Sequence, residues 1–584
     1  VSFLFVDPSD NALVVQGAYE KKTAISNIGG CWDGINKVWR IVFTISNLEA
    51  LLDAIPNITV APDLEERVRK QVDKEEKLGR LRAMARQDVP VNIRIPGLKL
   101  PLYNYQRLGV MYAATNRTGL LLADEMGLGK TVQGISTALF LKAYAGATKI
   151  LIVTPASLKF NWPLEIKLFT DEKYVVIDGT PEERIAQWMR NDVFFYVVNY
   201  ELLLEDFFGG RTMKEKENET DAQRERREGI KAKAKRRQSM LSEVRRRVWD
   251  LIVVDEAQAL KHHASKRTKN VKEMKARFRM ALTGTPMDGR LEELHSLMQF
   301  VAPGLLLSKD RFFQKHVETD FWGKVTGYKR IGEVTQTIQP FFLRRLKRDV
   351  LKDLPDKVYE NRVITLAPEE LRVYKELAEN GHEATEDASA MVAIIRCKQF
   401  CNWNTMVDED CTFNSKMESF KEVLEEVVMQ NGHKALVFSQ YKEMLDIIVP
   451  ELNKLGIKFM RIDGDTPPSR RADMQLQFNS DKSMDLMIGT EAMSAGLNFQ
   501  SADYVINYDD NWSPAIMAQR EDRCHRNGQR NVVTVVNFIC RDTVEERIRG
   551  VIYSKNRVTA QTLGDETEDM VLKRLGPKDL AKLL

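Results

Sequence analysis

Apolar residues recur along this chain in two rhythms. From about residue 95 to 350, short apolar runs (LLLAD, KILIVTP, FFYVVNY, DLIVVDE) alternate with stretches at helical spacing, and each run closes on polar or glycine residues. That alternation predicts a parallel sheet covered by helices. Residues 358 to 548 repeat it in KALVFSQ, KFMRIDG, DLMIGTE, DYVINYD and TVVNFIC. The expected fold is α/β, with two parallel-sheet lobes whose ligands bind at the carboxyl ends of the strands.

The flanks follow other patterns. Residues 1–60 carry the β-like runs FLFV, ALVV and WRIVFTI around a glycine-rich turn, then SNLEALLDAI at helical spacing behind Ser46, a candidate N-cap. This predicts a small N-terminal α+β module. A charge-rich helical connector occupies 61–94, the first lobe 95–345, an inter-lobe linker 346–358, the second lobe 359–548, and a brace helix and tail 549–584. Within the first lobe, residues 209–247 have few apolar positions, and Lys and Arg outnumber Asp and Glu roughly two to one. Two roles stay open for this insertion: a solvated segment, or a basic arm on a DNA backbone.

A chain of 584 residues exceeds one hydrophobic core. Its 43% hydrophobic and 29% charged residues are those of a globular protein. No apolar run approaches the ~20 residues of a membrane helix, and the first residues do not read as a signal peptide. An intracellular protein without a membrane partner is expected. The net charge of +4 decides nothing, because a basic surface can sit inside a nearly neutral whole. Six cysteines do not make a disulfide framework here. Cys397, Cys401 and Cys411 cluster, with His382 or His433 needed as a fourth zinc ligand, but the spacing fits no paired CxxC pattern. Buried thiols are expected instead.

The strongest local signal is the strand, glycine-rich turn and helix around Asp124-Glu125-Met126-Gly127-Leu128-Gly129-Lys130-Thr131. Backbone N–H groups at such a helix start cradle phosphates. Lys130 would reach the β- and γ-phosphates and Thr131 would hold Mg²⁺. The strict pattern wants glycine where Asp124 stands. A second apolar run ends in Asp255-Glu256-Ala257-Gln258, where Asp255 would hold Mg²⁺ and Glu256 would orient the attacking water. Arg520, Arg523 and Arg526 are three apart, so a helix would carry them on one face, either as a solvated stripe or as transition-state cations.

With these residues assembled, residues 98 to 563 closely resemble the Swi/Snf-type branch of superfamily-two helicases. The resemblance rests on Tyr105-Gln106, DEMGLGKT (124–131), IVTPASLKFNW (152–162), DEAQ (255–258), LTGTP (282–286) and PFFLRRLKRDVLKDLPDK (340–357). In the second lobe it rests on ALVFSQY (435–441), RIDGDTPPSRR (461–471), GTEAMSAGLNFQSADYVINYD (489–509) and QREDRCHRNGQ (519–529). It implies two RecA-like lobes closing on ATP and Mg²⁺, with adenine read by Gln106 and the phosphates held by residues 124–131. Lys130, Asp255, Glu256, Gln519, Arg523 and Arg526 become catalytic residues, with the metal on Thr131 and Asp255. Asp124 belongs to this branch's own form of the loop. Gln258, where His is more familiar, leaves the coupling to LTGTP in question. The family's DNA contacts map onto Thr154, Ser157, Lys159, Ser439, Gln440, Thr490, Asn498 and Trp512.

The expected activity is therefore DNA-stimulated ATP hydrolysis that moves the chain along double-stranded DNA. The work done would be remodelling of forks and junctions or displacement of DNA-bound proteins. The alternatives are a motor acting on RNA polymerase and a non-catalytic, ATP-gated DNA clamp. The run NIGGCWDGINKVWRIVFTISNLEALL loosely resembles the HARP-like module of annealing-helicase relatives, with Trp32 and Trp39 either stacking on bases or forming a small core. A monomer of bacterial or viral origin is expected.

Overall fold

A computed structural model describes residues 2–549, apart from 8–11, 29, 34–35, 87–88, 117, 209–238, 288–289, 322–324, 352, 383–386, 408–413, 495, 512, 527 and 548. The chain divides into two units: residues 1–318 with 328–350, and residues 319–327 with 351–584.

The first unit begins with a five-stranded sheet of β1 (Phe3–Asp7), β2 (Ala12–Gln16), β3 (Cys31–Asp33), β4 (Val38–Val42) and β5 (Thr59–Val60), in the order β3-β4-β2-β1-β5. One sheet face alternates into a core of Leu4, Val6, Leu13, Val15 and Ile41. Trp39 packs against this core, while Trp32, its cross-strand partner, is 45% exposed; their rings meet at 5.3 Å. The helix expected behind Ser46 is present as Ile45–Ala54, but Thr44 caps it by accepting from the Asn47 amide at 3.1 Å. An N-cap needs an extended backbone with its oxygen three residues ahead of a free N–H, and Thr44 meets that condition.

The connector is one helix, Leu64–Arg86. Leu64 and Val68 pack in the N-terminal core, whereas Leu78 and Leu81 pack in the core of the next sheet. The helix therefore joins two cores.

That second sheet holds β6 (Gly119–Leu122), β7 (Ile150–Thr154), β8 (Tyr174–Val176), β9 (Phe195–Asn199), β10 (Trp249–Val254), β11 (Ala276–Leu282) and β12 (Phe342–Leu343). Its order is β12-β6-β11-β10-β7-β9-β8, and every pairing is parallel. β6, β7 and β9 are buried along their whole length. The last residues of the insertion form a short helix, Ser242–Arg246; residues 209–238 lie outside the described residues.

The second unit is built on a parallel sheet of β13 (Lys357–Ile364), β14 (Ala435–Phe438), β15 (Phe459–Ile462), β16 (Leu486–Gly489), β17 (Tyr504–Asn507) and β18 (Val533–Cys540), ordered β13-β18-β17-β14-β16-β15. Cys397 and Cys401 are fully buried in its core, and Cys411 lies outside the described residues. Burial, then the neighbouring Cys401, pushes the Cys397 thiol up to about 12. His433 is engaged by Asp503 at 2.9 Å. Cys401, Cys540 and Glu545 do converge, but the buried ammonium of Lys416 already sits on Glu545 at 2.5 Å. Burial disfavours that charge, yet Glu545 outweighs it and holds Lys416 above its ordinary pKa. The brace helix expected after residue 549 lies outside the described residues, as does every residue from 550. Among the described residues no helix is long and apolar enough to cross a membrane.

Removing one partner of a buried pair leaves an uncompensated charge, at a cost of about 3–5 kcal/mol. Lys416→Met should therefore lower the denaturation midpoint of the second unit sharply. Adding Glu545→Leu to it should recover much of the loss in the same urea titration.

Candidate nucleotide site

The phosphate loop starts where β6 runs out. Gly127 (φ 84°) and Gly129 (φ 71°) take left-handed backbone that a side chain resists. At Gly129 a Cβ would come within 2.5 Å of Gln106 Nε2. Gly129 is the N-cap of the helix Lys130–Ala145 and offers no capping side chain, so the first amides of that helix remain available to an anion. Lys130 Nζ donates to the Asp124 carbonyl at 2.8 Å and the Glu125 carbonyl at 3.3 Å, folding back onto its own loop. Gln106 is buried beside the loop and donates to the Leu128 carbonyl at 3.3 Å.

Asp124 faces inward and is completely buried. Arg345, equally buried, donates Nε to Asp124 Oδ1 at 2.9 Å, and its Nη2 reaches the other carboxylate oxygen. Gln133 donates to Asp124 at 3.0 Å and accepts from Arg345 at 2.7 Å. The Ala123 amide donates to the Leu343 carbonyl at 2.7 Å, the Glu125 amide to the Arg345 carbonyl at 2.9 Å, and the Lys347 amide to the Glu125 carboxylate at 2.7 Å. The departure from glycine at 124 is thus one half of a buried ion pair.

The acids follow β10. Asp255 accepts from Trp162 Nε1 at 2.9 Å, from Thr154 Oγ1 at 3.3 Å and from the Glu256 amide at 2.9 Å. Burial, then the charge of Glu256, pushes Asp255 up to about 6 against the pull of these donors and of Lys130. A desolvated carboxylate of this kind gains most from a cation, which fits a divalent metal on Asp255 and Thr131. Glu256 is held at φ 45°, ψ 54°, which costs a non-glycine residue about 1–2 kcal/mol. Its carboxylate accepts from Gln258 Nε2 at 2.7 Å, and Gln258 Oε1 accepts from Thr283 at 2.8 Å. The coupling that Gln258 left in question is a direct hydrogen-bonded chain. At the next residue, Gly284, a Cβ would stand 2.6 Å from Met126 Cγ, so LTGTP packs directly against the phosphate loop.

In the second unit, the helix Pro514–Glu521 ends before Arg523 and Arg526, so the three arginines do not share one helical face. Arg520 is fully buried on Glu491 at 2.6 Å and the Asp509 carbonyl at 2.7 Å. Arg523 is 3% exposed and donates to the Gln519 and Leu497 carbonyls, both at 2.9 Å. Half-buried Arg526 donates to the Asp522 carbonyl at 2.6 Å. Gln519 is half-buried.

Three of the expected DNA contacts have side chains that are buried and engaged within the protein. Thr154 serves Asp255, Lys159 pairs with Asp178 at 2.7 Å, and Ser439 donates to Asp509. Ser157, Gln440, Thr490 and Asn498 are half-buried, and Trp512 lies outside the described residues. Two functional neighbours escaped the sequence reading, Trp162 on Asp255 and Arg345 on Asp124. The signal for Arg345 was present, since an acid at the buried end of a strand requires a cation.

The family model described as the SNF2-related domain matches residues 103–415, and that of the helicase conserved C-terminal domain matches residues 415–528. An uncharacterized ATP-dependent helicase of Mycoplasma pneumoniae is 30% identical over 480 residues, 80% of this chain and 42% of that one. The ATP-dependent helicase/translocase YwqA of Bacillus subtilis is 29% identical over 506 residues, 82% of this chain and 51% of its own. The chain thus spans about half the length of the curated relatives it matches, or less. A solved structure, the Sulfolobus solfataricus SWI2/SNF2 ATPase core in complex with dsDNA, is 27% identical over 81% of this chain and 95% of that one, with a TM-score of 0.38.

Arg345→Met would strand the Asp124 carboxylate, so it should cost about 3–5 kcal/mol in a urea titration of the first unit. Asp124→Asn in the same background should restore part of that stability. Equal midpoints for wild type and Arg345→Met would mean that the pair holds nothing.

Proposed function

The chain belongs to the SNF2-related family, and on that premise we propose that it hydrolyses ATP to move along double-stranded DNA. The observation that carries this is the hydrogen-bonded chain Glu256–Gln258–Thr283 beside an intact phosphate loop. Lys130 would exchange the carbonyls of its own loop for the β- and γ-phosphates. Thr131 and Asp255 would hold Mg²⁺, which supplies positive charge to the transferring phosphoryl group. Glu256 would orient the attacking water, and Gln106 would read adenine. Any change at Glu256 would pass through Gln258 to Thr283 without a gap.

Gln519, Arg523 and Arg526 would serve the transition state. Arg523 now satisfies its donors on neutral carbonyls. Charge-assisted bonds to a phosphoryl group are roughly twice as strong as neutral ones, so an exchange of partners favours the nucleotide. DNA would be held at its phosphates and therefore with little sequence preference, with Ser157, Gln440, Thr490 and Asn498 as candidate contacts. The work performed would be remodelling of branched DNA or displacement of a DNA-bound protein such as RNA polymerase.

Steady-state ATP hydrolysis without nucleic acid, and then with duplex, single-stranded or forked DNA or RNA at one salt concentration, tests this proposal. Duplex or forked DNA should stimulate turnover strongly, and equal rates under all conditions would overturn it. Glu256→Gln should bind ATP and duplex as wild type does while losing at least ~10²-fold in kcat, the span of positioned acid–base groups. An active Glu256→Gln would remove that residue from its role.

A further inference from the structure

A cleft of about 430 Å³ on the first unit is lined by Leu307, Arg311, Gln314, Lys315, Lys329 and Arg330. Two segments build it. The helix Lys309–His316 is anchored by fully buried Phe312 and nearly buried His316, leaving Arg311, Gln314 and Lys315 on its outer side. The second segment is fastened to the end of that helix, with the Lys329 amide donating to the His316 carbonyl at 3.0 Å. This attachment places exposed Lys329 and Arg330 at the same cleft.

The charge there is poorly compensated. Lys315 pairs with Glu333 at 2.8 Å, but both partners are more than 40% exposed, and such a pair contributes little. Arg311 donates Nη1 to the Thr23 carbonyl at 3.0 Å, a neutral acceptor. Lys329 and Arg330 form no ion pair among the described residues, and the one acid that Arg330 acts on through space is Glu333, the carboxylate already shared with Lys315. Arg330 is also held at φ 53°, ψ 38°, in left-handed backbone that glycine would adopt at no cost. It stands as N-cap of the helix Ile331–Ile338 and provides no capping side chain, so that helix adds its partial positive end to the four cations. Four donors of one sign, gathered around a neutral glutamine and an apolar floor, suit the spaced phosphates of a polyanion.

The cleft lies toward one flank of the sheet. The helix Ile331–Ile338 leads through Gln339–Phe341 into the edge strand β12. The candidate DNA residue Ser157 follows β7, four places away in the strand order. At ~4.8 Å per strand, β12 and β7 lie about 19 Å apart, so the segments that carry the cleft and Ser157 join the sheet at well-separated strands. The contact from Arg311 to Thr23 also sets the cleft beside the N-terminal sheet.

We infer that this cleft binds the backbone phosphates of a second DNA segment, an arm of bent or branched DNA other than the one that drives ATP hydrolysis. The inference rests on the proposed DNA-dependent activity for its ligand class and on the cleft itself for its position.

The test uses the full chain carrying Lys329→Gln with Arg330→Gly, which removes two cations and keeps a residue suited to the left-handed backbone. Binding of linear and forked duplex is followed by fluorescence anisotropy across a salt series, alongside ATP hydrolysis stimulated by linear duplex. The variant should keep its thermal midpoint, its stimulation by linear duplex and its affinity for it. Its affinity for the fork should fall about tenfold, and the slope of log K against log salt on the fork should shrink by about two, at roughly 0.9 per phosphate contact. Unchanged affinity and slope on the fork would overturn the inference. Equal losses on linear duplex, with lost stimulation, would also overturn it by assigning these cations to the DNA that drives hydrolysis. Wild type without any DNA stimulation would defeat the proposed activity instead, while the fork slopes would still read the cleft.

Discussion

The buried ion pair between Asp124 and Arg345 ties the phosphate loop to the last segment of the first unit. A carboxylate with no exposure must be neutralised or matched. Asp124 is matched by a guanidinium more than two hundred residues later in the chain. Bringing Arg345 back places Phe342–Leu343 beside β6 as a seventh strand, where the Leu343 and Arg345 carbonyls accept from the Ala123 and Glu125 amides on either side of Asp124. The phosphate loop therefore has one wall made by the segment that runs into the linker. A nucleotide that shifts Glu125 by a fraction of an ångström would pull on the Lys347 amide, because packed interiors transmit displacement and do not absorb it.

A second tie runs from the acids to LTGTP. Glu256 is already in an unfavourable backbone region, and its carboxylate is held by a single amide, that of Gln258, which in turn is held by Thr283. Strain of 1–2 kcal/mol is comparable with one or two net hydrogen bonds. The geometry at Glu256 thus depends on the chain staying intact, and glutamine suits this place because its amide donates on one side and accepts on the other.

Much of this was legible in the sequence, for identifiable reasons. Fully buried strands such as β6 and β7 announce themselves as apolar runs, and glycine at 127 and 129 marks backbone that only glycine takes easily. What failed were inferences from spacing alone. Arg520, Arg523 and Arg526 are spaced for one helical face, yet the helix stops at Glu521, after which the chain turns and Arg523 bonds back to carbonyls. Thr154 closes β7, which is buried along its length, and its hydroxyl is turned toward Asp255, while Lys159 in the turn that follows is paired with Asp178. A motif fixes which residues gather at a site. Burial decides which of them are left to touch a ligand, and burial comes from contacts far away in sequence. The same limit hid Arg345, whose partner lies in another motif.

The N-terminal sheet obeys a constraint of another kind. A flexible linker would let it wander, but Leu64–Arg86 is one helix with apolar residues in two cores, and at ~1.5 Å per residue its 23 residues span about 35 Å. A continuous helix seated in both cores ties the N-terminal sheet to the nucleotide-binding sheet more closely than an irregular linker would. The bond from Arg311 to Thr23 adds a second attachment away from that helix. Half-exposed Trp32 and the basic cleft thus belong to the same packed unit as β6 and the phosphate loop, which suits a surface that holds one part of a substrate while the site works on another.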